Sequence, residues 1–172
     1  MSDLRDELYS LLVPLAGERL IVPRACVAEV IGYQTPVAQT GAPPWYAGIA
    51  AWGGRKVPVV SFEGALGQPL PSVSTRTRIV IFYANNEVLQ AGFFGLLTQG
   101  FPQLVRVNAD VIRPDPSRSF AELSPVICQV RMVNETPLIP DLQRLERMIV
   151  SGMDVREGTE GAIPSRPSIP PG

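Results

Sequence analysis

Histidine is absent from the 172 residues, cysteine occurs twice and lysine once. Without an imidazole there is no Ser-His-Asp or Cys-His nucleophile system and no histidine-based metal site. Cys26 and Cys128 form no CxxC pair and read as reduced thiols used as small core residues. Basic residues number 15 and acidic residues 16, for a net charge of -1. Lys56 is the single lysine and no basic stripe forms, which argues against a nucleic-acid partner. No apolar run approaches the roughly 18 residues that would span a bilayer, so no direct membrane insertion is expected. The opening Met1-Ser-Asp-Leu-Arg-Asp-Glu7 is charged and no apolar signal core follows it, so a cytoplasmic location is expected.

What is present is a chain able to fold unaided, 45% hydrophobic and 18% charged, of a length that suits one domain. Its 18 prolines and 15 glycines are scattered, and they punctuate short segments rather than long helices. Tyr9 to Leu15 and Arg19 to Val22 read as a first hairpin about Ala16-Gly17-Glu18. Pro23 fits the first position of a short helix from Arg24 to Ile31, stopped at Gly32, with Cys26, Val27, Val30 and Ile31 on one face and Glu29 on the other. Arg78 to Tyr83 is the clearest strand; Val88 to Leu97 returns from it, and Gln103 to Val107 alternates. Asp141 suits the N-cap of a terminal helix running to about Val150, with Leu142, Leu145 and Ile149 on one face. The expectation is a mainly β fold, with a domain over 8–150 and a flexible tail over 151–172. Two subdomains divide near 67–77, with room for the N-terminal strand to be shared.

The most informative stretch is Gly48-Ile-Ala-Ala-Trp-Gly-Gly-Arg-Lys-Val57, preceded by Ala42-Pro-Pro-Trp-Tyr-Ala47 and continued by Pro58-Val-Val-Ser-Phe62. Apolar runs on either side of Gly53-Gly54 predict a hairpin whose turn needs positive φ. Pro58 cannot donate to a ladder and pushes its strand toward a sheet edge. An edge strand beside aromatics is a natural docking place for another protein. Trp45, Tyr46 and Trp52 are therefore either interface anchors or core, with core favoured for Trp52. Tyr83, Phe93, Phe94 and Phe101 are read as core. Asp110, Asp115 and Asp141 stand on separate loops and are read as solvated acids or caps.

This stretch, and four further pieces, resemble the CheW-like adaptors of bacterial chemosensory arrays. Leu12 to Leu20 is similar to the family's opening "F-x-L-G-x-E" hairpin, and Val27-Ala-Glu29-Val30 to its "V-x-E-V" segment. Gly95 to Pro114 ends in Ile112-Arg113-Pro114 as the family's second half does, and Leu138 to Leu145 resembles its closing "L-x-D-x-x-x-L". The wording around Gly41 to Tyr46 and Ser61 to Gly64 resembles the ChpC-type adaptors of pilus chemosensory systems. The resemblance implies two SH3-like five-stranded β-barrel subdomains around a shared core, with short helices, no catalysis and no cofactor. It implies docking to the regulatory domain of a CheA-type histidine kinase and to a chemoreceptor cytoplasmic tip, with recruitment to receptor arrays. Val27, Glu29, Gly48 and Gly54 match family positions tied to those contacts; Trp45, Tyr46, Arg55, Lys56 and Pro58 complete the expected partner-binding set.

The chain departs from the family pattern in three places. The arginine of "N-L-R-G" is Gly53 here, with Arg55 or Lys56 as stand-ins across the turn; Ser61-Phe62 lacks the usual Asp; Gln99 stands where Asp is usual. These point to an accessory adaptor in chemotaxis or twitching motility. The readings from other classes are a β-barrel module stacking single-stranded nucleic acid on its aromatics, and a carboxylate-dependent hydrolase.

Overall fold

The computed structural model describes residues 7–161. In chain order its elements are β1 (Leu8–Pro14), β2 (Arg19–Pro23), β3 (Val27–Gly32), β4 (Tyr46–Trp52), β5 (Arg55–Val60), α1 (Phe62–Ala65), β6 (Arg78–Tyr83) and β7 (Phe93–Thr98). There follow β8 (Gln103–Val107), β9 (Arg113–Pro114), β10 (Val126–Arg131), β11 (Leu138–Pro140) and α2 (Leu142–Gly161). Two curled sheets result, one ordered β3-β6-β7-β5-β4 and the other β8-β1-β2-β11-β10-β9. The first has the five strands expected; the second has six, the last being the two-residue β9.

Three apolar clusters explain the arrangement. Ala50, Val57, Val59, Ile79 and Ile81 fill the inside of the five-stranded sheet. Leu12, Ile21, Val107 and Val130 fill the six-stranded one. Between the sheets lies the largest cluster, with Val13, Leu20, Tyr46, Val60, Phe62, Val80, Phe82, Phe94 and Leu96, closed by Leu145 and Ile149 of α2. Central strands therefore bury both faces, which is why Arg78 to Tyr83 reads as a continuous apolar run rather than an alternation. Gly95 is demanded by this packing: a Cβ there would lie 2.7 Å from the Ile79 side chain.

The helix expected from Arg24 to Ile31 is a single 3-10 turn, Arg24–Cys26, followed by strand β3. The i, i+3, i+4 pattern that suggested a helix has another origin. Val27 and Val30 pack on the inter-sheet core, while Ala28 and Ile31 pack into the five-stranded sheet. β3 is thus apolar on two faces, and its β-branched residues suit a strand paired to β6. The edge placement of Pro58 is also corrected. β5 lies between β4 and β7, and Pro58 is buried. The missing N–H is tolerated because the recorded pairing to β7 begins one residue later, at Val59.

The sheets do not divide the chain at 67–77. The first hairpin, β1–β2, joins β8–β11 in the six-stranded sheet, so the sheet boundaries fall at the 3-10 turn and after β7. At the other end α2 continues to Gly161, past the expected stop near Val150. Asp141 caps it as expected: its carboxylate accepts from the Arg144 amide at 3.0 Å. The part of the expected tail over 162–172 lies outside the described residues.

Candidate functional site

The β4–β5 turn is the hairpin the sequence predicts. Gly53 and Gly54 take φ of +54° and +76°, the conformations a two-residue turn of this hand requires. Register then pairs Trp52 with Arg55, so both side chains stand on one face at the end of the sheet. The same end receives the start of β3, the end of β6 and the start of β7, which supply Glu29, Tyr83 and Phe93.

These five side chains make one contact group. The Trp52 indole lies edge-on to Phe93, with ring centroids 4.8 Å apart, and Phe93 lies 5.7 Å from its cross-strand partner Tyr83. The Arg55 guanidinium sits 5.2 Å above the Phe93 ring. Trp52 Nε1–H donates to the Glu29 carboxylate, tying β3 to the end of β4. Gln34 strengthens the same tie: its amide nitrogen donates to the Ala51 carbonyl and its amide oxygen accepts from the Ala51 N–H. The indole is half-buried against the sheet interior, while Tyr83 is 54% exposed. An apolar anchor, a cation held over a ring and an oriented carboxylate thus share one solvent-facing end.

The remaining expected site residues separate from this group. Tyr46 is buried at 6% exposure in the inter-sheet core. Trp45 packs against the second half of α2, where a Cβ at Gly152 would lie 3.4 Å from the indole. Gly48 is buried and takes φ +138°; a Cβ there would fall 2.3 Å from the Val37 carbonyl oxygen, so its role is close backbone approach. Pro58 is interior, Val27 is half-buried on the inter-sheet core, and Lys56 is exposed on the opposite face of β5 from Arg55. Tyr83, read from the sequence as core, is exposed at the sheet end, while Phe93 is half-buried against the core of the five-stranded sheet and also reaches this group. Phe101 is also not core, at 69% exposure. The signal for Tyr83 and Phe93 was positional: each sits at the extreme end of its strand, beside the turn.

A second feature is an open cleft of about 600 Å³ between the sheets, whose lining includes Glu18, Arg19, Arg76, Arg118 and Glu135. Its charges largely pair among themselves, Arg19 with Glu135 at 2.6 Å and Arg118 with Glu18. Among the described residues no group of three His, Cys, Asp or Glu side chains could hold a metal ion, and no helix is long and apolar enough to cross a membrane.

Comparison with known proteins adds three findings. The CheW-like domain model matches residues 10–148. The crystal structure of the scaffolding protein TtCheW from Thermoanaerobacter tengcongensis superposes with a TM-score of 0.65 at 18% identity, covering 77% of this chain and 88% of that one. No curated protein matches the sequence. The chain belongs to the CheW-like domain family, and its two curled sheets follow that family's two-subdomain, SH3-like fold.

Proposed function

We propose that the chain is a non-catalytic chemosensory adaptor that couples a CheA-type histidine kinase to chemoreceptors, as an accessory copy serving chemotaxis or pilus-based motility. Family membership supports the adaptor role. The docking face is the sheet end that carries Glu29, Trp52, Arg55, Tyr83 and Phe93, flanked by Val27 and Gly54. The observation that carries this is the Trp52–Phe93–Arg55 group, an aromatic anchor at a solvent-facing strand end with a cation already placed on it.

In this reading Arg55 does the work of the arginine that Gly53 replaces. Held over Phe93, the guanidinium keeps a planar face for a partner carboxylate or aromatic, which an ammonium would not reproduce. Gly53 and Gly54 let a partner backbone approach closely. The Trp52–Glu29 hydrogen bond fixes the indole before binding, lowering the ordering cost of association. Transient contacts of this kind bury about 1,200 Å² or less in total. The protein works in the cytoplasm and reaches the membrane through receptor arrays.

Calorimetric titration against the regulatory domain of a CheA-type kinase, and separately against a chemoreceptor tip fragment, tests the reading. Micromolar binding to either, weakened at least tenfold by Trp52→Ala in a folded variant, supports it. Binding to neither overturns it. Salt-sensitive binding to a single-stranded oligonucleotide in the same assay would instead favour a nucleic-acid module.

A further inference from the structure

Glu146 is a buried carboxyl on α2, at 7% exposure. Its charge works against stability there. Burial pushes the group above the usual glutamate range, and the Asn85 amide and Arg147 offset this only in part. What the carboxyl does is hold a neighbour. Its Oε1 accepts from the Asn85 N–H at 3.2 Å, across 61 residues of chain.

Asn85 is the hub of the loop between β6 and β7. Its carbonyl oxygen accepts from the Val88 and Leu89 amides at 3.0 and 2.8 Å, and its Oδ1 from the Glu87 amide at 2.9 Å. Those bonds stay inside the loop. The Asn85–Glu146 bond is the one hydrogen bond that ties residues 85–91 to another element among the described residues. An apolar peg accompanies it: Leu89, 2% exposed, belongs to the inter-sheet cluster that holds Leu145 and Ile149 of α2. The loop closes where the Ala84 N–H donates to the Gly92 carbonyl at 2.9 Å, directly beside the Tyr83–Phe93 pair that ends the ladder. Phe93 is the ring on which Trp52, Tyr83 and Arg55 converge. An ordered loop carries the ladder one closed pair past these aromatics, and a loose loop leaves them at a fraying end.

We propose that Glu146 is a positioning residue for the docking face: by accepting from Asn85 it locks the 84–92 loop onto α2, and through the Ala84–Gly92 closure it holds Tyr83 and Phe93 where Trp52 and Arg55 meet them. This role rests on the docking face of the proposed function. A face ordered beforehand binds more tightly, because fewer groups are immobilised on contact. The role accounts for a carboxyl kept where burial penalises its charge. It also separates stability from docking. Removing the carboxyl relieves a buried charge and at the same time loosens the face.

Two substitutions in the full chain separate the acceptor from the charge. Glu146→Gln keeps an oxygen for the Asn85 N–H and loses the charge; Glu146→Leu keeps the bulk and loses the acceptor. In amide proton–nitrogen spectra of the free chain, Glu146→Leu should move the Tyr83, Ala84 and Phe93 amides and the Trp52 indole N–H, and Glu146→Gln should leave them in place. Binding to the regulatory domain of a CheA-type kinase should fall about fivefold or more for Glu146→Leu and stay within about twofold for Glu146→Gln. Neither variant should lower the urea midpoint. Shifts that stop short of Phe93, equal weakening by both variants, or affinity lost in step with the urea midpoint overturns the proposal. A measurement on the unaltered chain holds even if a variant fails to fold. The Asn85 amide should be protected from hydrogen exchange about tenfold or more beyond that of Asn86, which has no hydrogen-bond partner among the described residues. Equal protection overturns the proposal as well. If the unaltered chain binds neither kinase domain nor receptor tip, the docking reading fails, while the free-chain spectra and exchange still decide whether Glu146 positions the Tyr83–Phe93 pair.

Discussion

The two ends of the β4 strand carry aromatics of similar size, and the fold treats them oppositely. At the start, Tyr46 is sealed between the sheets and Trp45 lies against α2. At the finish, Trp52 leans on Phe93 with its indole N–H bound to Glu29 and Arg55 close by. Five residues of strand lie between core filler at Tyr46 and candidate anchor at Trp52. The difference comes from what lies over each end: α2 and the six-stranded sheet cover the first, and only the turn continues beyond the second. An aromatic near a Gly-rich turn is therefore not a site by composition; its neighbours in space decide.

The comparison would break first at Gly48. Placing a Cβ 2.3 Å from the Val37 carbonyl oxygen, at φ +138°, leaves no strain-free solution. Gly48→Ala should cost more than about 3 kcal/mol in urea unfolding and abolish partner binding only by unfolding the chain. A variant that stays folded but no longer binds the kinase would instead make Gly48 a contact residue.

The next contrast is Tyr46→Ala against Trp52→Ala. Removing a fully buried ring should destabilise by about 3 kcal/mol or more. Removing the half-buried indole should cost about 1–2 kcal/mol, since part of its surface is already in water. Kinase binding should follow the reverse order once each variant is measured well below its unfolding transition. Equal losses of stability would mean that Trp52 is core, as its sequence context first favoured.

Much of this was legible in the sequence. The β4–β5 hairpin with its glycine turn, the Asp141 cap and the apolar face of α2 all stand where local pattern places them. What misled was burial on two faces. β3 lies between two apolar clusters, so its residues repeat at helical spacing although the backbone is extended. Pro58 announces an edge by its chemistry, but an interior strand accepts it where a ladder starts. The pairing of Glu29 with Trp52 spans 23 residues and depends on a bulge in β3 between Val27 and Glu29, which no local pattern reveals. Nor does sequence spacing show that the N-terminal hairpin joins the C-terminal strands.

A smaller effect sharpens the contrast from the side of pH. Burial raises the carboxyls of Glu63 and Glu146 above their ordinary value. The folded state then binds more protons than the unfolded one, so stability falls as pH rises through the unfolded value toward the folded one. Asp115 behaves oppositely. Hydrogen bonds from the Ser117 side chain, the Ser117 amide and Gln129 hold it at about 2, so its contribution is present above 3.8 and is lost as pH falls toward 2. Glu63→Gln should flatten the decline above pH 4.5, and Asp115→Asn the loss below pH 4, in urea unfolding followed across pH. Because Glu63 and Asp115 touch none of the docking group, kinase affinity at neutral pH should be unchanged by either substitution.

The smallest effect concerns Glu29, where stability and docking can be separated. Its carboxylate is exposed, so Glu29→Gln should move stability by about 0.5 kcal/mol or less. The glutamine oxygen can still accept from the Trp52 indole, so the anchor keeps its orientation while the charge is gone. Glu29→Lys removes acceptor and charge together and places a cation near Arg55. If the carboxylate meets a partner cation, Glu29→Gln should weaken kinase binding several-fold and Glu29→Lys more than tenfold. If its role is only to hold the indole, Glu29→Gln should bind like the unaltered chain and Glu29→Lys should fall toward Trp52→Ala. The indole fluorescence of the two variants reads the same alternative without the partner: an unshifted emission in Glu29→Gln, paired with lost affinity, assigns the loss to charge.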